Sequence, residues 1–247
     1  MPNGPKMIRA FIFDLDGTLA NTEPLHLAAF NAVFRDRGIE ISEADYFNPT
    51  SGFIGLNDRD CFITALARHG IRTDADEIAA LVATKSRTFQ TMAAEGAKLF
   101  PGEERFVRSA AERFPLVVVT GALRADAEAT LRGIGLRDLF LDVVAAEDAE
   151  RGKNAPEPFI TALGRLGYIL RDRDPIQAGE CLAVEDSPYA IEGAHHAGMK
   201  ALAIAHTVRA EALSAAEIVR PSMRDADLDE ILRALARTEE AGRIGGP

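Results

Sequence analysis

Apolar positions follow two different periods along this chain. Residues 8–13 form a short, mostly apolar run ended by turn residues, the pattern of a buried strand. From Glu23 the period becomes helical. Pro24 suits a first helical turn, Leu27, Phe30, Val33 and Phe34 form a stripe, and Gly38 ends it. Ser42 to Phe47 reads as a short helix, and Asp58 to His69 as another, stopped by Gly70. Asp74-Ala75-Asp76-Glu77 has the form of a capping box before a long helix ending near Gly96. Residues 21–97 are thus helical, with almost no β-branched runs, and read as a module inserted after the first strand.

Beyond Phe100 strands and helices alternate. The predicted helices are Glu103 to Phe114, Arg124 to Arg132, Pro156 to Leu166, Pro188 to Ala197 and Leu228 to Arg237, the last capped by Asp227. Between them lie apolar strands at Leu116 to Val119, Asp142 to Ala145, Cys181 to Val184 and Ala201 to Ala205. Apolar strands alternating with helices predict an α/β fold with a doubly wound parallel sheet. The expected organisation is an α/β core from residues 1–20 and 98–247, with the helical domain at 21–97. In such sheets ligands bind at the carboxyl ends of the strands. Asp14, Thr120 and the pair Glu185-Asp186 each directly follow a strand, so topology alone predicts that they converge.

Composition narrows the function. The 247 residues carry a net charge of −10, which argues against nucleic acid or an anionic membrane as the main partner. Cys61 and Cys181, the chain's two cysteines, lie in apolar patterns and read as buried free thiols, in keeping with a reducing cytoplasm. Met1 to Ala10 lacks an apolar signal core, and no run approaches a membrane span. Gly242 to Pro247 reads as a short frayed tail.

The chemistry concentrates in Phe11-Ile12-Phe13-Asp14-Leu15-Asp16-Gly17-Thr18-Leu19. Two Asp at a strand's end, two positions apart, are poor strand formers on one face. A turn would need only one of them. Their mutual repulsion calls for a divalent cation. His195-His196 invites a metal reading too, but adjacent helix residues do not share a face.

The stretch resembles motif I, D-x-D-G-T, of the haloacid dehalogenase superfamily. The other motifs follow in order: Val117-Val118-Val119-Thr120-Gly121, then Gly152-Lys153-Asn154-Ala155-Pro156-Glu157-Pro158-Phe159, then Ala183-Val184-Glu185-Asp186-Ser187. Asn154 departs where the family commonly has Pro. The resemblance covers nearly the whole chain. It implies a Rossmann-like core with an inserted helical cap of the C1 type, on the β-phosphoglucomutase/phosphatase-like branch.

By that resemblance Asp14 is a nucleophile that becomes an aspartyl phosphate. Asp16 protonates the leaving oxygen and then deprotonates water. Mg²⁺ is held by Asp14, the Asp16 backbone carbonyl and Asp186, with Glu185 as a further ligand. Thr120 and the backbone near Gly121 bind phosphoryl oxygens, and Lys153 neutralises charge. In the cap Thr22, His26, Arg59 (in Gly55-Leu56-Asn57-Asp58-Arg59) and Lys85 are the candidates for gating and substrate binding. The expectation is a cytoplasmic, monomeric Mg²⁺-dependent phosphatase of small phosphorylated metabolites, sugar phosphates above all. The alternatives are phosphoryl transfer of the β-phosphoglucomutase type and a non-catalytic phosphometabolite-binding protein. Asp16 disfavours a dehalogenase, and Thr120-Gly121-Ala122-Leu123-Arg124 leans away from the mutase.

Overall fold

A computed structural model describes residues 7–48, 50–53, 56 and 58–244, with side chains through 237. Gly55 and Asn57 of the Arg59 stretch, and residues 1–6 and 245–247, lie outside the described residues.

Six parallel strands form one sheet in the order β3-β2-β1-β4-β5-β6. They are β1 (Ala10–Phe13), β2 (Leu116–Val119), β3 (Asp142–Val144), β4 (Cys181–Glu185), β5 (Lys200–Ile204) and β6 (Ile218–Arg220). β1 is central, pairing with β2 through Phe11↔Leu116 and with β4 through Phe13↔Val184. Every residue of β1 is buried, because helices cover both faces. Phe11, Phe13, Val118 and Val184 enter the core on one face, with Phe106. Ile12, Val117, Val119 and Ala183 enter the core on the other, with Phe159. The order reverses at β1, which creates the crevice expected of a doubly wound sheet.

Helices α1 (Glu23–Phe34), α2 (Glu43–Tyr46), α3 (Asp58–Arg68) and α4 (Ala75–Gly96) follow β1. They share their own apolar cluster, with Phe30, Phe34, Phe62, Leu66 and Ile78 at its centre. Ser42 and Asp74 cap α2 and α4, accepting from the N–H groups of Asp45 and Glu77 at 3.1 and 2.8 Å. The chain enters and leaves this helical segment side by side. Ala20 bridges Leu99, and the Asn21 N–H donates to the Lys98 carbonyl at 2.9 Å.

The sheet is flanked by α5 (Glu103–Ala111), α6 (Arg124–Gly133), α7 (Glu157–Ile169), α8 (Pro188–His196) and α9 (Leu228–Ile244). α7 runs past the expected end at Leu166. α9 runs past Arg237 to Ile244, so the expected fray at Gly242 is helical backbone. The sequence reading missed β6, a three-residue edge strand too short to carry an alternation. Cys61 and Cys181 are buried free thiols. No described helix is long and apolar enough to cross a membrane.

Candidate active site

The site is assembled at the carboxyl ends of β1, β2 and β4. Asp14 leaves β1 while its N–H still donates to the Val184 carbonyl at 2.9 Å, so sheet geometry fixes its position. The chain then turns at Gly17, whose φ is +88. A Cβ there would lie 2.3 Å from Oδ2 of Asp186, so only glycine fits the turn. The turn folds Thr18 back, and its hydroxyl lies 2.9 Å from Oδ2 of Asp14 and 3.3 Å from Oδ1 of Asp186.

Asp14, Glu185 and Asp186 are all buried. Each offers a carboxylate oxygen, and these oxygens lie within 4.8 Å of one another; among the described residues no other cluster of acidic, His or Cys side chains is placed to hold a metal ion. Lys153 is the cation in their midst, donating to Oδ1 of Asp14 and, at 2.9 Å, to Oε1 of Glu185. Burial opposes its charge, but the two carboxylates outweigh burial and hold its pKa above the ordinary lysine value. One ammonium does not neutralise three acids. Burial, and then the charge of Asp14, pushes Asp186 up to about 6 and raises Glu185 well above the ordinary carboxylate range. Oε2 of Glu185 is buried with no partner at all. Hard oxygen donors in excess of local positive charge, one of them orphaned, fit a divalent cation such as Mg²⁺.

Asp16 faces the same cavity in different company. Its Oδ1 accepts from the Thr22 hydroxyl at 2.7 Å and its Oδ2 from the Thr120 hydroxyl at 3.2 Å. Its carboxyl is therefore turned away from the acidic cluster toward these two hydroxyls. Burial, and then the nearby Asp14 charge, pushes it up to about 6. Thr120 is held at the end of β2, its N–H donating to the Val144 carbonyl, and its hydroxyl accepts from the Ala122 N–H at 3.0 Å.

The helical segment supplies the roof of a cavity of about 630 Å³ that Asp14, Asp16, Thr120, Gly121 and Lys153 line from below. His26, Arg59 and Lys85 line it from above. Lys85 is fully buried. Its ammonium donates to both carboxylate oxygens of Asp58 at 2.8 and 3.0 Å and to Nδ1 of His26 at 2.7 Å. It also lies 4.9 and 5.1 Å from the ring centroids of Phe30 and Phe89. His26 stacks on Phe89 with centroids 4.2 Å apart. Burial, and then the Lys85 charge, lowers its pKa to about 3, so the imidazole is neutral. With Nδ1 accepting from Lys85, its proton sits on Nε2. Lys85 thus organises the roof, while the exposed Arg59 is the roof cation open to a ligand.

Some participants escaped the sequence reading. Thr18 stands inside the D-x-D-G-T motif and could have been read there. Asp58, the partner of Lys85, has the charge to be found only once the fold brings them together. Thr207, whose hydroxyl donates to Oδ2 of Asp186, lies beyond β5 and carries no local signal. The His195 imidazole pairs with Glu217 at 3.1 Å instead of joining a metal cluster.

Known proteins share the sequence pattern and the fold of this chain. Residues 8–198 match the family model of the haloacid dehalogenase-like hydrolases. The plasmid protein CbbY of Cupriavidus necator is 31% identical over 234 residues, covering 88% of this chain and 87% of that protein. The fructose-1-phosphate phosphatase YqaB of Escherichia coli is 31% identical over 191 residues, covering 77% and 93%. The crystal structure of β-phosphoglucomutase from Clostridium difficile superposes with a TM-score of 0.73 at 20% identity, covering 95% of this chain and all of that one, and so shares the fold. The chain belongs to the haloacid dehalogenase-like hydrolase family, on its C1-capped phosphatase branch.

Proposed function

We propose that this enzyme is a Mg²⁺-dependent phosphatase that hydrolyses small phosphorylated metabolites, sugar phosphates in particular, through an aspartyl phosphate on Asp14. The observation that carries the reading is the divergence of two carboxyls two residues apart. Asp14 accepts from Lys153 and Thr18, whereas Asp16 is aimed at two other hydroxyls and pushed up to about 6. Carboxyls placed in such different company divide into nucleophile and acid–base.

Asp14 attacks phosphorus, and the bond to the leaving oxygen breaks as Asp16 gives that oxygen its proton. Asp16, now a carboxylate, takes a proton from water, which attacks the phosphorus and frees Asp14. Lys153 offsets charge on the phosphoryl oxygens. A protonated Asp16 donates to Thr120, which releases the Thr120 hydroxyl hydrogen for a phosphoryl oxygen beside the Gly121 backbone. Asp14, Asp186, the Asp16 carbonyl and Glu185 would hold Mg²⁺, which supplies Lewis-acid neutralisation of the approaching phosphate. Residues 21–97 act as a cap over the core of 1–20 and 98–247, with Thr22, His26, Arg59 and Lys85 gating the acid and receiving the distal end of the substrate. Relatives that act on small phosphorylated molecules support this substrate class: YqaB is a fructose-1-phosphate phosphatase, and a 28% identical relative from Streptomyces hygroscopicus is a validoxylamine A 7'-phosphate phosphatase. The enzyme works in the cytoplasm, as a monomer, without nucleic acid or membrane.

The test is phosphate release from a panel of sugar phosphates, with Mg²⁺ and with chelator. Release should need the metal and vanish in a folded Asp14→Asn enzyme, since an amide cannot form the aspartyl phosphate. β-Glucose 1-phosphate, offered with a bisphosphate primer, separates hydrolysis from transfer. Ala122 and Leu123 line the cavity where a reoriented sugar would need polar contacts. Isomerisation should therefore be minor, and isomerisation far outrunning phosphate release would make the enzyme a mutase.

A further inference from the structure

Behind the turn at Gly17 the core buries a second pair of titratable groups that the phosphoryl chemistry does not use. Glu103, the first residue of α5, is 0% exposed, and neither of its carboxyl oxygens has a hydrogen-bond partner. Nε2 of His206 lies 4.0 Å from Oε1 of Glu103, and no other side chain pairs with either ring nitrogen, whose polar neighbours are the backbone of Gly17 and Thr18. The ring stacks on Phe100, with centroids 4.0 Å apart, beside the backbone of Gly17 and Thr18. Such orphans are rare in folded proteins, and each is costly. Here they face one another.

We propose that Glu103 is a neutral carboxylic acid that donates a hydrogen bond to Nε2 of His206, and that this pair is a positioning device for Thr207 and, through it, for Asp186. An ion pair is the competing arrangement. It would desolvate two charges, and the carboxylate would have no further hydrogen bond to support it. Burial alone pushes Glu103 up to about 8, and burial holds His206 below its ordinary value, so each group is neutral near neutral pH. One placement of protons then pairs the two groups. The acid donates, Nε2 accepts, and the ring proton sits on Nδ1. A rotation of the carboxyl closes the remaining gap of about 1 Å to hydrogen-bond distance.

The consequence reaches the site through one peptide bond. Thr207 follows His206, and its hydroxyl donates to Oδ2 of Asp186. Its methyl is packed against the same turn, since a Cβ on Gly17 would lie 2.9 Å from Thr207 Cγ2. Fixing the His206 ring therefore fixes the donor that orients Asp186. Groups that orient a metal ligand in this way tune its affinity for the metal.

This inference rests on Asp186 holding Mg²⁺, and the experiments separate the two claims. The first is the side-chain ¹⁵N spectrum of wild-type enzyme, with His206 assigned by loss of its signals in His206→Asn. A neutral ring protonated on Nδ1 is expected, and an imidazolium or the other tautomer at neutral pH overturns the pair. The second is calorimetric titration of chelator-stripped enzyme with Mg²⁺ alone. Glu103→Gln keeps an N–H donor and should bind Mg²⁺ within about twofold of wild type, whereas Glu103→Met should bind it about tenfold or more weakly. At saturating Mg²⁺ the kcat of Glu103→Met should stay within about threefold of wild type, because the reacting groups are untouched. Wild-type affinity in a folded Glu103→Met enzyme overturns the positioning role. Weak binding by Glu103→Gln overturns it equally, and keeps the test decisive should Glu103→Met not fold. Wild-type enzyme that takes up no Mg²⁺ overturns the metal reading of the acidic cluster, while the spectrum still decides the pair.

Discussion

Thr22 donates a hydrogen bond to Oδ1 of Asp16 at 2.7 Å, and so joins the start of the helical segment to the carboxyl we propose as the acid–base. Thr22 is fully buried just before α1, so its hydroxyl moves only when the backbone entering that helix moves. Cap position and the proton affinity of Asp16 are thereby one variable.

Thr22→Val should consequently shift the pH profile. The Thr22 bond lowers the Asp16 pKa against burial, which raises it to about 6. Removing the bond raises it further. In the proposed mechanism Asp16 is protonated when it expels the leaving group, so the high-pH limb of kcat/KM should move to higher pH, by about one unit. An unmoved or lowered limb in Thr22→Val would show that Asp16 is not the group titrating there.

Lys153 sets the charge balance of the site. Lys153→Met leaves Asp14 and Glu185 buried without their cation. Breaking such a pair costs about 3–5 kcal/mol when the remaining charge has no other partner. Denaturant unfolding should show a loss of this order in chelator and a smaller one with saturating Mg²⁺, which would supply the missing positive charge. Equal losses in both conditions would mean that the carboxylates do not bind the ion.

Glu103 predicts a dependence of stability on pH. Its carboxyl is raised from the ordinary 4.5 to about 8 in the folded protein. Between those values the folded state holds a proton that the unfolded chain has released. Stability contributed by this group is complete below 4.5 and is lost as pH rises through about 8. The slope reaches at most about 1.4 kcal/mol per pH unit. Denaturant midpoints of wild type should fall across this range, and Glu103→Gln should flatten its share of the fall. Parallel curves would place the carboxyl outside the folding linkage.

What the sequence carried depended on distance along the chain. β1 and the D-x-D-G-T turn are local, so the same residues that form the strand and turn also announce the chemistry. The convergence of Asp14, Thr120 and Asp186 followed from strand–helix alternation, since a parallel sheet puts all its strand ends on one side. Thr207 and the partnership of Glu103 with His206 had no such signal. They are made by packing between segments far apart in sequence, and an isolated Glu at a helix start reads as an ordinary solvated residue. Lys85 shows the limit from the other direction. Its spacing in the helix was legible, but its engagement by Asp58 and His26 was not, because α3 and α1 reach it only in three dimensions.

The last prediction concerns how the helical segment is fastened to the core. Asp126 in the first turn of α6 is buried, and its Oδ1 accepts from Ser86 at 2.6 Å and from Gln90 at 2.8 Å, both on α4. Further along, α4 and α6 approach so closely that a Cβ on Gly133 would lie 1.9 Å from the Ala93 carbonyl oxygen. The two helices thus meet at a polar clasp beside the cavity and a tight apolar crossing away from it. Asp126→Ala removes the acceptor of the buried Ser86 hydroxyl, at a cost of about 1–3 kcal/mol, while Gln90 keeps its bond to Ser86. Because the clasp joins the helical segment to the core beside the cavity, that energy is lost from their contact more than from either unit alone. Asp126→Ala should therefore raise KM with a smaller effect on kcat, and amide exchange should quicken around Ser86 and Gln90. Gly133→Ala acts at the other contact, where backbone must give way, and should lower the melting temperature of the whole protein. A rise in KM for Gly133→Ala alone, with Asp126→Ala silent, would put the fastening at the crossing and not at the clasp.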